Sequence, residues 1–413
     1  MNTLAAPVVN LSAERPLNLM DKHFHQNKWA YYQYLRDHLP VHPAKIAVAK
    51  IIVVARYDDC MNLVKDPRFG RNRGRIMGKG ESPLPFPVPK NIRALAQSMI
   101  LEDDPEHRRL RNMVQKAFAP KNINALGDDI EALAHRLLDE LIPQQTFDLQ
   151  QAYALQIPVK VIAGIMGLND EHMVKFQQSL RVLSEGLSGW NVMRTLLWDI
   201  RRSANFMREV IEEKRRNPGD DILSNLIQPG EDGDCLSEDE LLSMIFLLII
   251  AGYETTVNLV TNGVHALLTH PDQLARLRAE PELVGSAVEE MLRFCGPVHG
   301  TKMNYAREDL EIGGVEISKG TGMMPLLGSA NRDERFFAQP EIFDIARSDN
   351  KHLSFSQGNH FCLGAFLARM ETRIAIKVLI ERLPDLRLAI PGDDVEILAR
   401  PGWHRLGGLP VRV

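Results

Sequence analysis

At 413 residues the chain has the length of roughly two or three ordinary domains, yet no Ser/Gly-rich linker, repeat or low-complexity segment divides it, so a single domain over residues 1–413 is expected. A hydrophobic content of 45% supplies a large core, and a net charge of −4 argues against a general nucleic-acid binder. The four cysteines, Cys60, Cys235, Cys295 and Cys362, are scattered, which fits a reducing cytoplasm better than a disulfide framework.

The first 26 residues read as an extended segment, and Met1–Pro16 has neither the positive n-region nor the continuous apolar h-region of a signal peptide. The longest apolar run, Met244–Gly252, is about half of what spans a bilayer, so no membrane anchor is expected. Residues Asn27–Leu39 read as a helix, Lys45–Arg56 as a β-hairpin or strand pair, and Tyr57–Lys65 as a helix stopped by Pro67. The stretch Arg71–Pro89 holds four prolines and three glycines, and a loop this long inside a compact domain is usually functional or disordered. From Asp104 to Cys295 the pattern is helical, broken near Pro120, Pro143, Gly167, Gly186–Gly189, Pro218 and Pro229–Asp234. Short β-like pieces follow in Val298–Pro325, with Leu310–Ile312 and Val315–Ile317 joined by Gly313-Gly314, and then an irregular meander over Asn331–Lys351. The class is therefore mainly α with a smaller β-rich part (α+β), assembled from both ends of the helical block.

A long central helix is predicted over Leu236–His270. Ser237 and Glu240 have capping-box spacing, and Met244–Gly252 is apolar on every face, as in a helix buried all round. Into this run come Gly252, Glu254, Thr255 and Thr256. A carboxylate there is costly unless it is paired or meets a water-filled cavity. Gly252 removes bulk, and a threonine hydroxyl can bond the carbonyl one turn back and open the helix locally. The bland alternative is a helix that surfaces near Glu254 with threonines as filler.

Cys362 sits in the loop Phe355-Ser356-Gln357-Gly358-Asn359-His360-Phe361-Cys362-Leu363-Gly364, and a helix follows with Leu367, Met370, Ile374, Val378 and Leu379 as its apolar stripe. A cysteine at a helix entrance meets the positive end of the dipole and free N–H groups, which favour the thiolate. Gly358 and Gly364 suit a sharp turn or the close approach of a flat partner. A stabilised thiolate under a planar group is what a haem iron ligand requires. A buried structural cysteine, a catalytic thiol paired with His360, and a zinc ligand are the competing readings of the loop. The zinc reading lacks clustered partners, and two residues apart in a loop rarely places a cysteine and a histidine in contact.

The pattern Phe-x-x-Gly-x-His-x-Cys-x-Gly resembles the haem-binding loop of the cytochrome P450 family, with Ser356 standing where glycine is common. Ala251-Gly252-x-Glu254-Thr255-Thr256 is similar to the family's oxygen-activation motif. The resemblance covers about Asn27 to the C-terminus. It implies a P450 fold with haem b held between the central helix and the cysteine-loop helix, and Cys362 as metal ligand. Further cofactor contacts would come from Phe355, Gly364, Ala251 and Gly252. His107 and Arg111, four apart on one helical face, match the family's propionate-binding His-x-x-x-Arg, and His360 matches another propionate contact. Glu290 and Arg293, with Arg347 from the meander, match the brace of the haem loop. Asn304 falls where many bacterial members carry a propionate-binding arginine, with Lys302 as a substitute cation.

The activity implied is that of a soluble bacterial-type monooxygenase. Protons pass through Glu254 and Thr255, and the Cys362 thiolate pushes electron density that favours O–O cleavage. An apolar substrate of the fatty acid, terpenoid, steroid or macrolide class is then hydroxylated or epoxidised. Pocket residues by analogy are Ile76, Met77, Leu183, Leu187, Trp190, Met193, Leu248, Ala251 and Val298; Arg71, Arg73, Arg75 and Lys79 offer cations to a substrate carboxylate unless they are simply solvated. No flavin, nicotinamide or iron–sulfur module is visible, so electrons come from a ferredoxin-type donor with its NAD(P)H-dependent reductase, docking on basic stripes at Arg369, Arg373 and Lys377 and at Arg109 and Lys116. A monomer is expected. The rival readings are a haem-thiolate peroxygenase, isomerase or sensor, and a cofactor-free hydrolase or binding protein.

Overall fold

The computed structural model describes residues 9, 11–12, 15–78, 98–185, 199–229 and 233–413. Most of the loop after Gly78, together with Leu187, Trp190 and Met193, lies outside the described residues, as does the side chain of Leu183.

The central helix runs Glu238–Thr269, and its capping box forms as the spacing predicts: the Glu240 N–H donates to Ser237 Oγ (3.3 Å) and the Ser237 N–H to Glu240 Oε2 (2.8 Å). The helices Gln156–Ile165, Val284–Cys295 and Ala365–Arg382 pack around it. By length and apolarity it would cross a membrane, but 67% of its most apolar window is buried inside the molecule, so that apolarity serves the core. Burial is continuous over Leu241–Phe246 and again over Thr256–Val264, but not between them. Leu247, Leu248 and Ile250 are half-buried and Ala251 is exposed, so the helix is not buried all round but opens on one face just where the Gly252–Thr256 motif begins. The helix stays continuous through the motif: Thr255 Oγ1 donates to the Ala251 carbonyl at 2.7 Å without breaking it.

In chain order the strands as far as Pro325 are β1 Leu17–Asn18, β2 Val41–Ile46, β3 Ala49–Val54, β4 Phe69–Gly70, β5 Thr146–Asp148, β6 Asn304–Ala306, β7 Leu310–Ile312, β8 Val315–Ile317 and β9 Gly322–Pro325, and the main β-rich part is a six-stranded sheet in the order β1-β2-β3-β9-β6-β4. It joins segments from both ends of the chain, as expected. The β2–β3 hairpin starts four residues before Lys45; Pro43 hides this strand in the sequence, since proline cannot donate to a ladder. The N-terminal segment is likewise less extended than expected: Leu17 pairs with Ala44, and Lys22–Gln26 is a helix capped by Asp21. The antiparallel pairing of β4 with β6 matters most for the site. Phe69 faces Ala306 and Gly70 faces Tyr305, so the next residue, Arg71, comes opposite Asn304.

Candidate active site

The cysteine loop is shaped by backbone before side chains enter. The Cys362 N–H donates to the Phe355 carbonyl (3.0 Å) and the Phe361 N–H to Gly358 (3.0 Å). Gly358 has φ +71°, and a Cβ there would lie 3.0 Å from the Val64 carbonyl oxygen. Ser356 adopts φ +59°, a left-handed backbone that costs a non-glycine residue about 1 kcal/mol, which explains the usual glycine. The helix begins at Ala365, and a Cβ on Gly364 would meet open space. Burial pushes the Cys362 thiol above its ordinary range, and the Gly364 N–H, Arg111 and Arg369 only partly offset it. The dipole argument therefore gives the right direction but the smaller effect: desolvation outweighs it.

Behind the loop lies a buried ionic network. Glu290 and Arg293 are fully buried and joined by two bonds (2.8 and 2.7 Å). Arg347 Nε reaches Glu290 at 3.2 Å, Asn350 Nδ2 donates to it at 3.0 Å, and so does the Asp344 N–H at 2.9 Å. The spare donors of Arg293 and Arg347 meet carbonyls of Asn331, Ala338, Gln339, Pro340 and Ile342, tying the whole meander to one helix. Asn331 passes the order on, accepting from the Leu353 N–H (2.7 Å) and donating to Ser354 (2.8 Å). Glu289 next door bonds Arg369 and His352; burial raises its pKa, but these partners outweigh that and hold it at about 2.

On the central helix, Ala251 and half-buried Thr255 lie on the accessible side. Gly252 does not: a Cβ there would strike Ile162 Cδ1 at 2.4 Å, so this glycine admits the neighbouring helix rather than opening the groove. Glu254 is 3% exposed and paired with Arg400 and with Arg405 (3.1 Å), both from the C-terminal segment that folds back over Pro297–Gly300. Glu254, Asn258 and Arg405 also line a crevice of about 480 Å³ with Gln150 and Gln177. Thr256 is hydrogen-bonded to Glu371 of the cysteine-loop helix, so the two helices meet there; Ala251 is exposed, and Thr255 and Cys362 are half-buried.

Glu371 is 1% exposed, its Oε1 has no partner, and burial pushes its pKa up to about 8. An unfolded glutamic acid ionises near 4.5. Between the two values the unfolded chain gives up a proton that the folded one keeps, so stability falls as pH rises from about 4.5 to 8, on the order of 5 kcal/mol in all. Glu371→Gln keeps a partner for Thr256 and removes this term. Urea unfolding at pH 5 should find the two proteins alike, and at pH 8 the variant should be the more stable; equal stabilities at pH 8 would mean that Glu371 is ionised in the fold.

The fourth side is cationic. His107 is buried, with its ring 4.1 Å from that of His360. Burial, then Arg71, His107 and Arg111, lower the His360 pKa to about 3. Among the described residues, Arg71, Arg111 and Lys302 have no carboxylate within ion-pair distance, whereas the nearby acids are taken: Asp103 by Arg307, Glu102 by Arg75 and Asp104 by Arg108. The basic loop is thus not simply solvated: Arg71 is buried, Arg73 bonds the Gly320 carbonyl and Arg75 pairs with Glu102. Of the other pocket residues, Ile76 is buried, Met77 packs on Gly320, Leu248 is half-buried beside Ala251, and Val298 pairs with Trp403.

The proposed basic stripes are largely neutralised. Arg369 pairs with Glu289, Lys377 with Glu131, and Arg109 with Glu106, Asp234 and Glu240. These arginines and lysine pin helices to one another, which their spacing does not reveal.

The description "Cytochrome P450" matches residues 79–396 of the chain. Polyketide biosynthesis cytochrome P450 PksS of Bacillus subtilis (strain 168) is 37% identical over 394 residues, covering 94% of this chain and 96% of the relative. The chain belongs to the cytochrome P450 family. The solved structure of PksS superposes with a TM-score of 0.88 at 36% identity, covering 95% of this chain and 98% of that one. That of P450BioI in complex with hexadec-9Z-enoic acid ligated acyl carrier protein gives 0.85 at 34%, covering 94% and 99%. The P450 is accordingly a haem-thiolate monooxygenase, an oxidoreductase that takes electrons from a redox partner and acts on an apolar small molecule. The residues present fit haem b: an accessible apolar helix face, an accessible cysteine, and cations that lack counter-charges of their own and suit its propionates. Sequence reasoning missed Glu371, Arg400 and Arg405. Glu371 stands four residues after Leu367, on the apolar stripe, and that carboxylate was the available signal; nothing local in the sequence links Arg400 or Arg405 to Glu254.

Proposed function

We propose that this P450 activates O₂ with electrons from a ferredoxin-type donor and its NAD(P)H-dependent reductase, and hydroxylates or epoxidises a fatty-acyl, polyketide or similarly apolar molecule. In this reading haem b is ligated by Cys362 and supplies the oxidising centre, His107, Arg111 and His360 face its propionates, and Ala251 and Phe355 contact it. Residues 1–413 act as one monomeric domain in the cytoplasm. The observation that carries the reading is the division of labour on one helical turn. Half-buried Thr255 lies on the accessible side with its hydroxyl on the Ala251 carbonyl, while Glu254, held by Arg400 and Arg405, stands on the other beside a crevice that Gln150, Gln177 and Asn258 help to line. An acid supplied by the crevice and an alcohol at the cleft are what proton delivery to bound O₂ needs. Phe361 and Phe366, 37% and 40% exposed on either side of Cys362, offer the partner an apolar landing that the paired arginines do not.

The substrate classes follow the relatives' names, which speak of polyketide biosynthesis and of a fatty-acyl carrier protein. A screen of such compounds by the haem spin-state shift identifies ligands. Turnover with ferredoxin and reductase should exceed turnover with peroxide, and Thr255→Val, which keeps shape but removes the hydroxyl, should lower product formed per NAD(P)H consumed roughly tenfold or more. Equal coupling in the variant, or faster turnover with peroxide, would favour the peroxygenase reading.

A further inference from the structure

Asn304 leaves one cation missing from the propionate set, and the fold carries a replacement on the neighbouring strand. The antiparallel register of Gly70 with Tyr305, continued one residue past β4, brings Arg71 opposite Asn304, and residues directly opposite in such a register project from the same face. Arg71 is only 5% exposed. Its Nη1 donates to the Lys302 and Met303 carbonyls, the latter at 3.3 Å, just before the strand that carries Asn304, and its backbone N–H donates to Asp103 Oδ1 at 2.7 Å, so both ends of the residue are fixed. Carbonyls satisfy hydrogen bonds but not charge, and a buried guanidinium without a carboxylate is costly unless an anion arrives. The adjacent acid cannot serve: Asp103 is engaged by Arg307 at 3.1 Å. Asn304 does not fill the gap itself, because its Nδ2 is sealed from solvent with no acceptor.

We infer that Arg71 is a haem-propionate ligand of this P450, supplying from the residue after β4 the positive charge that Asn304 lacks on β6.

The test uses ferric holoenzyme and two readouts other than turnover: the rate of haem transfer to excess apomyoglobin, and the ferric/ferrous reduction potential. Arg71→Gln removes a charge-assisted bond, so haem transfer should quicken about tenfold. The potential should also move negative, because a nearby cation favours the more negative, reduced haem. Arg71→Lys should stay near the parent protein. Arg71→Gln combined with Asn304→Arg, which returns a cation from the facing strand, should recover both values. If Arg71 only held the Lys302 and Met303 carbonyls, neither Lys nor the facing arginine would restore them, and that outcome overturns the inference, as would unchanged transfer and potential in Arg71→Gln. Should Arg71→Gln fail to fold, Asn304→Asp serves alone: a carboxylate opposite Arg71 competes for it and should quicken haem transfer, and an unchanged rate again overturns the assignment.

Discussion

Glu290→Ala is expected to destabilise the protein by about 3–5 kcal/mol, as the removal of one partner from a buried ion pair does. The carboxylate accepts from Arg293, Arg347, Asn350 and the Asp344 N–H, and among the described residues none of these donors bonds another carboxylate. Truncation leaves the Arg293 guanidinium, at 1% exposure, with carbonyls alone, so a charge stays buried unpaired. An exposed Glu–Arg pair at the same spacing would be worth at most about 1 kcal/mol, so the measurement distinguishes the two situations cleanly. Because the meander hangs on this carboxylate and Asn331 links the meander to Leu353 and Ser354, the cysteine loop should loosen first. In urea the haem absorption should therefore be lost at lower denaturant than helical circular dichroism, and by a wider margin than in the parent protein. Coincident transitions shifted by less than about 1 kcal/mol would mean that the loop does not depend on the brace.

The parts of this site that the sequence announces are those whose chemistry is local. Ser237 and Glu240 cap a helix three residues apart, and the cysteine loop carries its turn glycines within its own ten residues, so both read directly. Glu290 and Arg293 were visible as a spacing, but their burial, which turns a weak pair into a strong one, is decided by the meander packed over them. Gly252 was misread for the same reason: its missing Cβ answers to Ile162, ninety residues away, and not to the groove. Arg109 and Arg369 looked like a free basic surface because their carboxylate partners, Glu240 and Glu289, lie on other helices. Arg71 could be placed only by strand register, since nothing in its own neighbourhood distinguishes it from Arg73 and Arg75. What a motif cannot carry is the identity of the side chain across the gap, and Glu254, anchored by Arg400 and Arg405, is the sharpest case.

Cys362→Ala should abolish monooxygenation while leaving the apoprotein fold close to intact. The loop at this position is held by the backbone bond from the Cys362 N–H to Phe355 and by the left-handed turn at Gly358, neither of which uses the sulfur. The sulfur supplies charge, and the apoprotein does not supply it in advance: burial keeps the thiol protonated at neutral pH against the pull of the Gly364 N–H, Arg111 and Arg369. A bound iron centre reverses that balance, as a metal deprotonates a coordinating thiol. Haem uptake by the apoprotein in weak buffer at pH 7 should therefore release a proton in the parent that is absent in Cys362→Ala. The reduced, CO-bound spectrum should lose its thiolate character in parallel. His107, Arg111 and the other propionate contacts remain in the variant, so it should still take up some haem, more weakly, and the spectral comparison can be made on the same fold. Equal proton release by the two proteins would place the titrating group elsewhere and remove Cys362 as the source of the thiolate.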